Sequence, residues 1–203
     1  MANTQFQFGF QPFGPAAGYV PNAGLRRRTI AQNYTTALFK GDPVVSNNAG
    51  NIVAVSSQSA PLAGIFWGCE YYSTAAKIPI FSPYWPGVSL GNSGYTVTAW
   101  IIDDPNALFL VAELGSTAAI AAANIMNNVQ WAAGSGGNTA NGISSYVIDD
   151  GNISTASTLP FKIMDLYSTV APPGVNGSDN TTVYNWAIVK MNNTDRAAGT
   201  TGV

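Results

Sequence analysis

"LFKGDPVVSNNAGNIVAVSSQSAPLAGIFWG", residues 38–68, reads as two or three β-strands joined by tight turns. Gly41, Asp42 and Pro43 mark a turn into "PVVS", with Pro43 setting φ at the start of the strand. "NNAGN" is a second turn, because Asn and Gly tolerate positive φ. "IVAVSS" then alternates apolar with small residues ahead of "SAPLAGIFWGCEYY". The whole stretch holds one Lys and one Asp. Strands so bare of charge need cover, because an open, uncharged strand edge is a template for pairing with another chain.

The same punctuation continues on both sides. "TIAQNYTTALF" precedes the stretch, and "YTVTAWIID" (95–103), "SYVIDDGN", "TLPFKIMDLYS" and "YNWAIVKMNN" follow it as strands, the last two separated by the turn-forming "APPGVNGSDNTT". Short β segments at a spacing of about 8 to 12 residues predict a mainly β protein, a small β-barrel or sandwich. One short α-helix is expected in "STAAIAAANIMNN". Ser116 or Thr117 would cap it and Ile120, Ile125 and Met126 would line one face. The Gly/Asn-rich "AAGSGGNTANGISS" after it reads as a mobile loop and lacks the Lys-Ser/Thr of a phosphate-binding loop.

Residues 1–24 place Phe6, Phe8, Phe10 and Phe13 among Gln, Gly and Pro, with Pro12 and Pro15 interrupting the alternation. This predicts an extended N-terminal arm ahead of a single mainly β domain at 25–203. Four aromatic side chains need a groove to lie in, on the chain's own domain or on a neighbour. The alternative is an edge strand tucked onto the protein's own sheet.

Composition narrows the function. At 203 residues and 46% hydrophobic the chain can bury a substantial core. Only 9% of residues are charged, against about 25% in ordinary soluble domains, so hydroxyls and amides carry the polar surface. Sparse charge makes association cheap in desolvation and suits a protein packed against copies of itself or a partner. No secretory signal pattern opens the chain, and no run of about 18 apolar residues exists to span a membrane. The single cysteine, Cys69, has no partner for an internal disulfide and reads as a half-buried strand residue.

The absence of histidine removes Ser-His-Asp and Cys-His catalysis and His-ligated zinc. The pairs Asp103-Asp104 and Asp149-Asp150 resemble the carboxylates of a glycosidase, yet neighbours on a strand face opposite ways and both pairs run into turn signals. Turn chemistry is the expectation for each, with weak calcium binding as the rival at the second pair. Arg26, Arg27 and Arg28 form the only basic cluster. With a net charge of −2 they fit acidic groups on a neighbouring subunit better than nucleic acid. The Asn-x-Ser/Thr triplets at Asn33, Asn152, Asn176, Asn180 and Asn192 are expected by chance in a chain this rich in those residues.

"ALFKGDPVV", "LAGIFWG", "DDPNALFLVAELG" with the Ala-rich segment behind it, and "YNWAIVKMNNTDRAAGTTGV" resemble, in this order, head decoration or cement proteins of tailed bacteriophages, as does the opening "MANTQFQFGFQP". The sequence departs from that group in the aromatic "PIFSPYWPG" (79–87) and in Thr194, where the group often carries histidine. The resemblance implies a non-enzymatic structural protein on the outer surface of the virion head, bound to the major capsid protein, commonly as a homotrimer at local threefold positions. It implies neither cofactor, metal, nucleic acid nor membrane. Phe6, Phe8, Phe10 and Phe13 would anchor the arm on capsid or a sister subunit, and Arg26, Arg27 and Arg28 would meet acidic patches there. A first alternative is a glycan-binding module of a virion spike or fibre, with Trp85, Tyr84, Tyr71 and Tyr72 stacking on sugar rings. A second is a glycoside hydrolase built on the Asp pairs.

Overall fold

A computed structural model of the chain describes residues 3–15, 24–87, 95–134, 136–168 and 179–202. Among these residues, twelve strands form two antiparallel six-stranded sheets: β1 Gln11–Pro15, β2 Leu25–Ile30, β3 Pro43–Ser46, β4 Ile52–Ala54, β5 Gly64–Ser73, β6 Ile78–Ser82, β7 Val97–Ile102, β8 Ala107–Ala112, β9 Asn128–Ala132, β10 Val147–Ser154, β11 Phe161–Leu166 and β12 Trp186–Met191. The first sheet runs β1-β8-β12-β11-β9-β10 and the second β2-β7-β5-β3-β4, with β6 added beside the far end of β5. The mainly β expectation holds in its sandwich form. A parallel bridge between Glu113 and Ile148 draws the ends of β8 and β10 together without closing a barrel.

Strand parity explains where the core lies, since alternate residues face opposite sides of a sheet. Phe109 and Val111 of β8, Phe161 and Ile163 of β11 and Ala187 and Val189 of β12 turn one way. They meet Ile65 and Ile102 of the second sheet in the main core. Val97, Ala99 and Ile101 of β7 turn the other way, into a second core with Phe66, Val44, Leu38 and Trp85. Trp85 is fully buried there, its indole N–H donating to the Tyr34 carbonyl at 2.9 Å. Gly87, at φ +70°, passes so close to the Thr35 carbonyl that any Cβ would collide with it.

Two expectations need comment. Over its described part, the extended arm expected at 1–24 takes the alternative form, an edge strand on the protein's own sheet. β1 pairs with β8 in antiparallel register, and Phe10 stacks on Phe161 with ring centroids 4.2 Å apart. Residues 1–2 and 16–23 of that expectation, and Asn176, lie outside the described residues.

The α-helix expected over "STAAIAAANIMNN" is reduced to a three-residue 3-10 turn at Ala122–Asn124. Side chains take the backbone groups a helix would use. Asp150 accepts the amides of Ser116, Thr117 and Ala118, Glu113 accepts the Ile120 amide, and Asn185 donates to the Ile120 carbonyl. Met126, at φ +70°, ends the turn. The loop expected to be mobile is packed in its described part: Gly137 lies against the Phe39 ring and Gly142 against Pro83.

Candidate interaction surfaces

The outward face of the first sheet carries a chain of aromatic rings. Phe6 lies 5.9 Å from Phe8, Phe8 meets Trp186 edge-on at 5.0 Å, Trp186 lies 5.6 Å from Tyr167, and Tyr167 meets Phe13 edge-on at 6.1 Å. Phe8 is sunk among Ala112, Val147, Leu110 and Trp186, which forms a small third core beneath the N-terminal segment. The two ends of the row stay open, Phe6 53% and Phe13 49% exposed. The four phenylalanines singled out by sequence therefore divide. Phe8 and Phe10 are buried in the protein's own cores and cannot anchor on a partner, whereas Phe6 and Phe13 are free to do so. Trp186 and Tyr167 complete the row and were not legible as site residues, because only pairing of β1, β8 and β12 brings them beside the N-terminal segment.

The three arginines of β2 also divide by parity. Arg26 binds Asp103 at 3.0 Å, sharing that carboxylate with Arg196 at 2.8 Å, so its charge is already met within the chain. Arg28 donates to the Ser46 hydroxyl. Arg27 points to the opposite face and, among the described residues, donates to Thr98 Oγ1 at 3.3 Å.

That opposite face is the exposed part of the second sheet. In register across its strands lie Trp100 beside Arg27, then Phe81, Glu70, Thr98 and Thr29 in one row, then Pro79 beside Tyr72. Phe81 is 71% exposed and stacks on Trp100 at 6.4 Å, while Tyr95 stacks on Tyr72 at 4.4 Å. A cleft of about 260 Å3 between Arg27, Glu70, Tyr72, Pro79, Tyr95 and Thr98 adjoins a hollow reaching Thr29 and Gly50. Of the four aromatic residues proposed for sugar stacking, Tyr72 belongs on this face and Tyr71 borders the cleft. Trp85 is core, Tyr71 packs edge-on against it at 5.2 Å, and Tyr84 stacks on Phe39 at 5.5 Å. Trp100 could have been found in the sequence from the alternation of β7, which puts Thr98, Trp100 and Ile102 opposite Val97, Ala99 and Ile101.

The acidic pairs are structural. Asp104 caps the β7–β8 turn by accepting the Asn106 amide, and Asp149 accepts the Gly151 amide and the Asn152 side chain. Burial opposes ionisation of Asp150, but amides and hydroxyls of Ser116 and Thr117 outweigh it and hold the carboxyl down at about 2. Donors thus occupy both of its oxygens. Among the described residues no group of three or more His, Cys, Asp or Glu converges to hold a metal. Burial pushes Glu113 up to about 7, against backbone amides of Ile120 and Tyr184 that favour its charged form. Burial likewise lifts Asp42 to about 6, against the Phe39 amide and Ser144. It also lifts the Cys69 thiol to about 12, which leaves that sulfur an unreactive core group.

No helix among the described residues is long and apolar enough to cross a membrane. No protein-family model, curated protein or solved structure matches the chain.

Proposed function

We propose that the chain is a structural protein of a bacteriophage virion that decorates the outside of the icosahedral head and stabilises it by binding the major capsid protein. The observation that carries this reading is the aromatic row of the first sheet. Phe6 and Phe13 hold about half their surface open at its two ends, on a protein whose surface offers little charge. Exposed aromatic groups backed by a rigid, packed row are good anchors, because they bury large area and lose little side-chain freedom on docking. The order of resembling segments from "MANTQFQFGFQP" to the carboxyl end supports the same reading.

Self-association as a homotrimer belongs to this proposal. Many copies bound at repeated positions convert a modest affinity per site into strong reinforcement of the shell. Neither chemistry nor cofactor is needed for that role, and the carboxylates of Asp104, Asp150 and Glu113 are committed to turns and backbone capping.

The test is sedimentation of purified protein with expanded heads that lack it, for the wild type and for Phe6→Ser/Phe13→Ser. The double variant should melt within a few degrees of wild type and bind at least about tenfold more weakly, roughly the loss of one good aromatic anchor. Undiminished binding by the folded variant would remove the row from the interface.

A further inference from the structure

We infer that the open face of the second sheet is a binding site for a neutral oligosaccharide, a function additional to capsid attachment and placed on different residues. β7 shows how the face arises. Its residues Thr98, Trp100 and Ile102 share one side; Ile102 enters the core against the first sheet, while Trp100 is only half-buried. The β5–β6 hairpin extends this uncovered side with Glu70, Tyr72, Pro79 and Phe81.

Three features specify the ligand. Two aromatic pairs flank Glu70 and Thr98: Trp100 stacks with Phe81, which stands at the end of their row, and Tyr72 stacks with Tyr95 beyond it, and both offer flat apolar surfaces of the kind that pack on the C–H faces of pyranose rings. Trp100 and Tyr72 stand two residues from that row on opposite sides of it, about 13 Å apart along the strands, which gives room for more than one sugar ring.

Between them lie groups of both polarities. Arg27 has guanidinium N–H donors beyond its bond to the buried Thr98 hydroxyl, the exposed Thr29 hydroxyl, which donates to Asn51, can still accept, and the Glu70 carboxylate has no hydrogen-bond or ion-pair partner among the described residues. A ligand crowded with hydroxyls donates to the carboxylate and accepts from the guanidinium at once. A polyanion does not fit, because Glu70 lines the cleft and Arg27, the one arginine lining it, cannot neutralise several phosphates or sulfates. Nor is the edge of β6 suited to strand pairing with another chain, since Pro79 removes a backbone donor there. The cleft sets the apolar Tyr72, Pro79 and Tyr95 beside the polar Arg27, Glu70 and Thr98, and its polar lining suits a ligand rich in hydroxyls.

The experiment titrates the full chain with neutral hexasaccharides of glucose, mannose, galactose and N-acetylglucosamine, with a heparin hexasaccharide as the charged control, by calorimetry and tryptophan fluorescence. At least one neutral sugar should bind saturably. Tyr95→Ala and Glu70→Gln, each on an exposed or half-exposed side chain, should weaken it about fivefold or more at unchanged melting temperature, and Phe6→Ser/Phe13→Ser should leave it untouched. Absence of binding by every neutral sugar, binding of heparin alone, or equal affinity in the folded variants would overturn the inference. So would loss of capsid binding in Tyr95→Ala and Glu70→Gln, which would assign the face to the shell.

Discussion

At the scale of single residues, four phenylalanines that look alike in sequence do different work. Phe10 is fully buried against Phe161, Phe8 is sunk under Trp186, and Phe6 and Phe13 keep half their surface in water. Truncating Phe10 removes a stacked core ring, so Phe10→Ala should cost about 3–5 kcal/mol in chemical denaturation. A loss under about 1 kcal/mol would mean that the stack on Phe161 contributes little. The alternation of aromatic with polar residues announced an extended segment, and that much was readable. Which rings point inward was not, because Phe10 turns toward the main core only where its amide donates to the Gly41 carbonyl, a contact between distant parts of the chain.

At the scale of elements, the strands were the legible part. "PVVS", "IVAVSS", "YTVTAWIID", "TLPFKIMDLYS" and "YNWAIVKMNN" each contain a strand of the sheets, because β-branched and aromatic runs bounded by Gly, Pro and Asn leave little choice. The helix was misread because alanine propensity is a weak preference that tertiary bonds override. Asp150 lies 32 to 34 residues from the amides it captures, Glu113 lies 7 from its amide and Asn185 lies 65 from its carbonyl, and no local pattern could disclose them. The candidate surfaces were legible only in part, since Tyr72 and Arg27 are found there but meet Trp100 and Phe81 through strand register alone. The N-terminal segment supplies the next prediction. β1 pairs with β8 and carries Phe10 beside it into the core, so deletion of residues 1–15 should lower the melting temperature well beyond the few degrees expected for loss of a free arm. An unchanged melting temperature would restore the separable arm.

At the scale of the whole molecule, buried carboxylates give stability a maximum in mildly acid solution. Glu113 is lifted from 4.5 to about 7 and Asp42 from 3.8 to about 6, so the folded state holds these protons more tightly than the unfolded chain. Their contribution is complete below about pH 4 and is lost as pH rises toward 7. Asp150 acts in the opposite sense. Held at about 2, it stabilises above its ordinary 3.8 and ceases to do so as pH falls through that window. The melting temperature should therefore peak near pH 4 to 5 and decline toward pH 8, and Glu113→Gln should flatten the decline. A variant with the wild-type slope would show that Glu113 is not the group responsible.

The same view of the molecule relates charge to assembly. A domain with so few ionic groups keeps its edges usable for neighbours, and under the proposed function cover by capsid and sister subunits would resolve the aggregation hazard posed by its bare strands. The most direct measurement is the number of copies that sediment with expanded heads lacking the protein. Saturation at a fixed ratio comparable to the major capsid protein is the predicted result. Failure to bind, or a handful of copies per particle, would contradict a role in decorating and stabilising the shell.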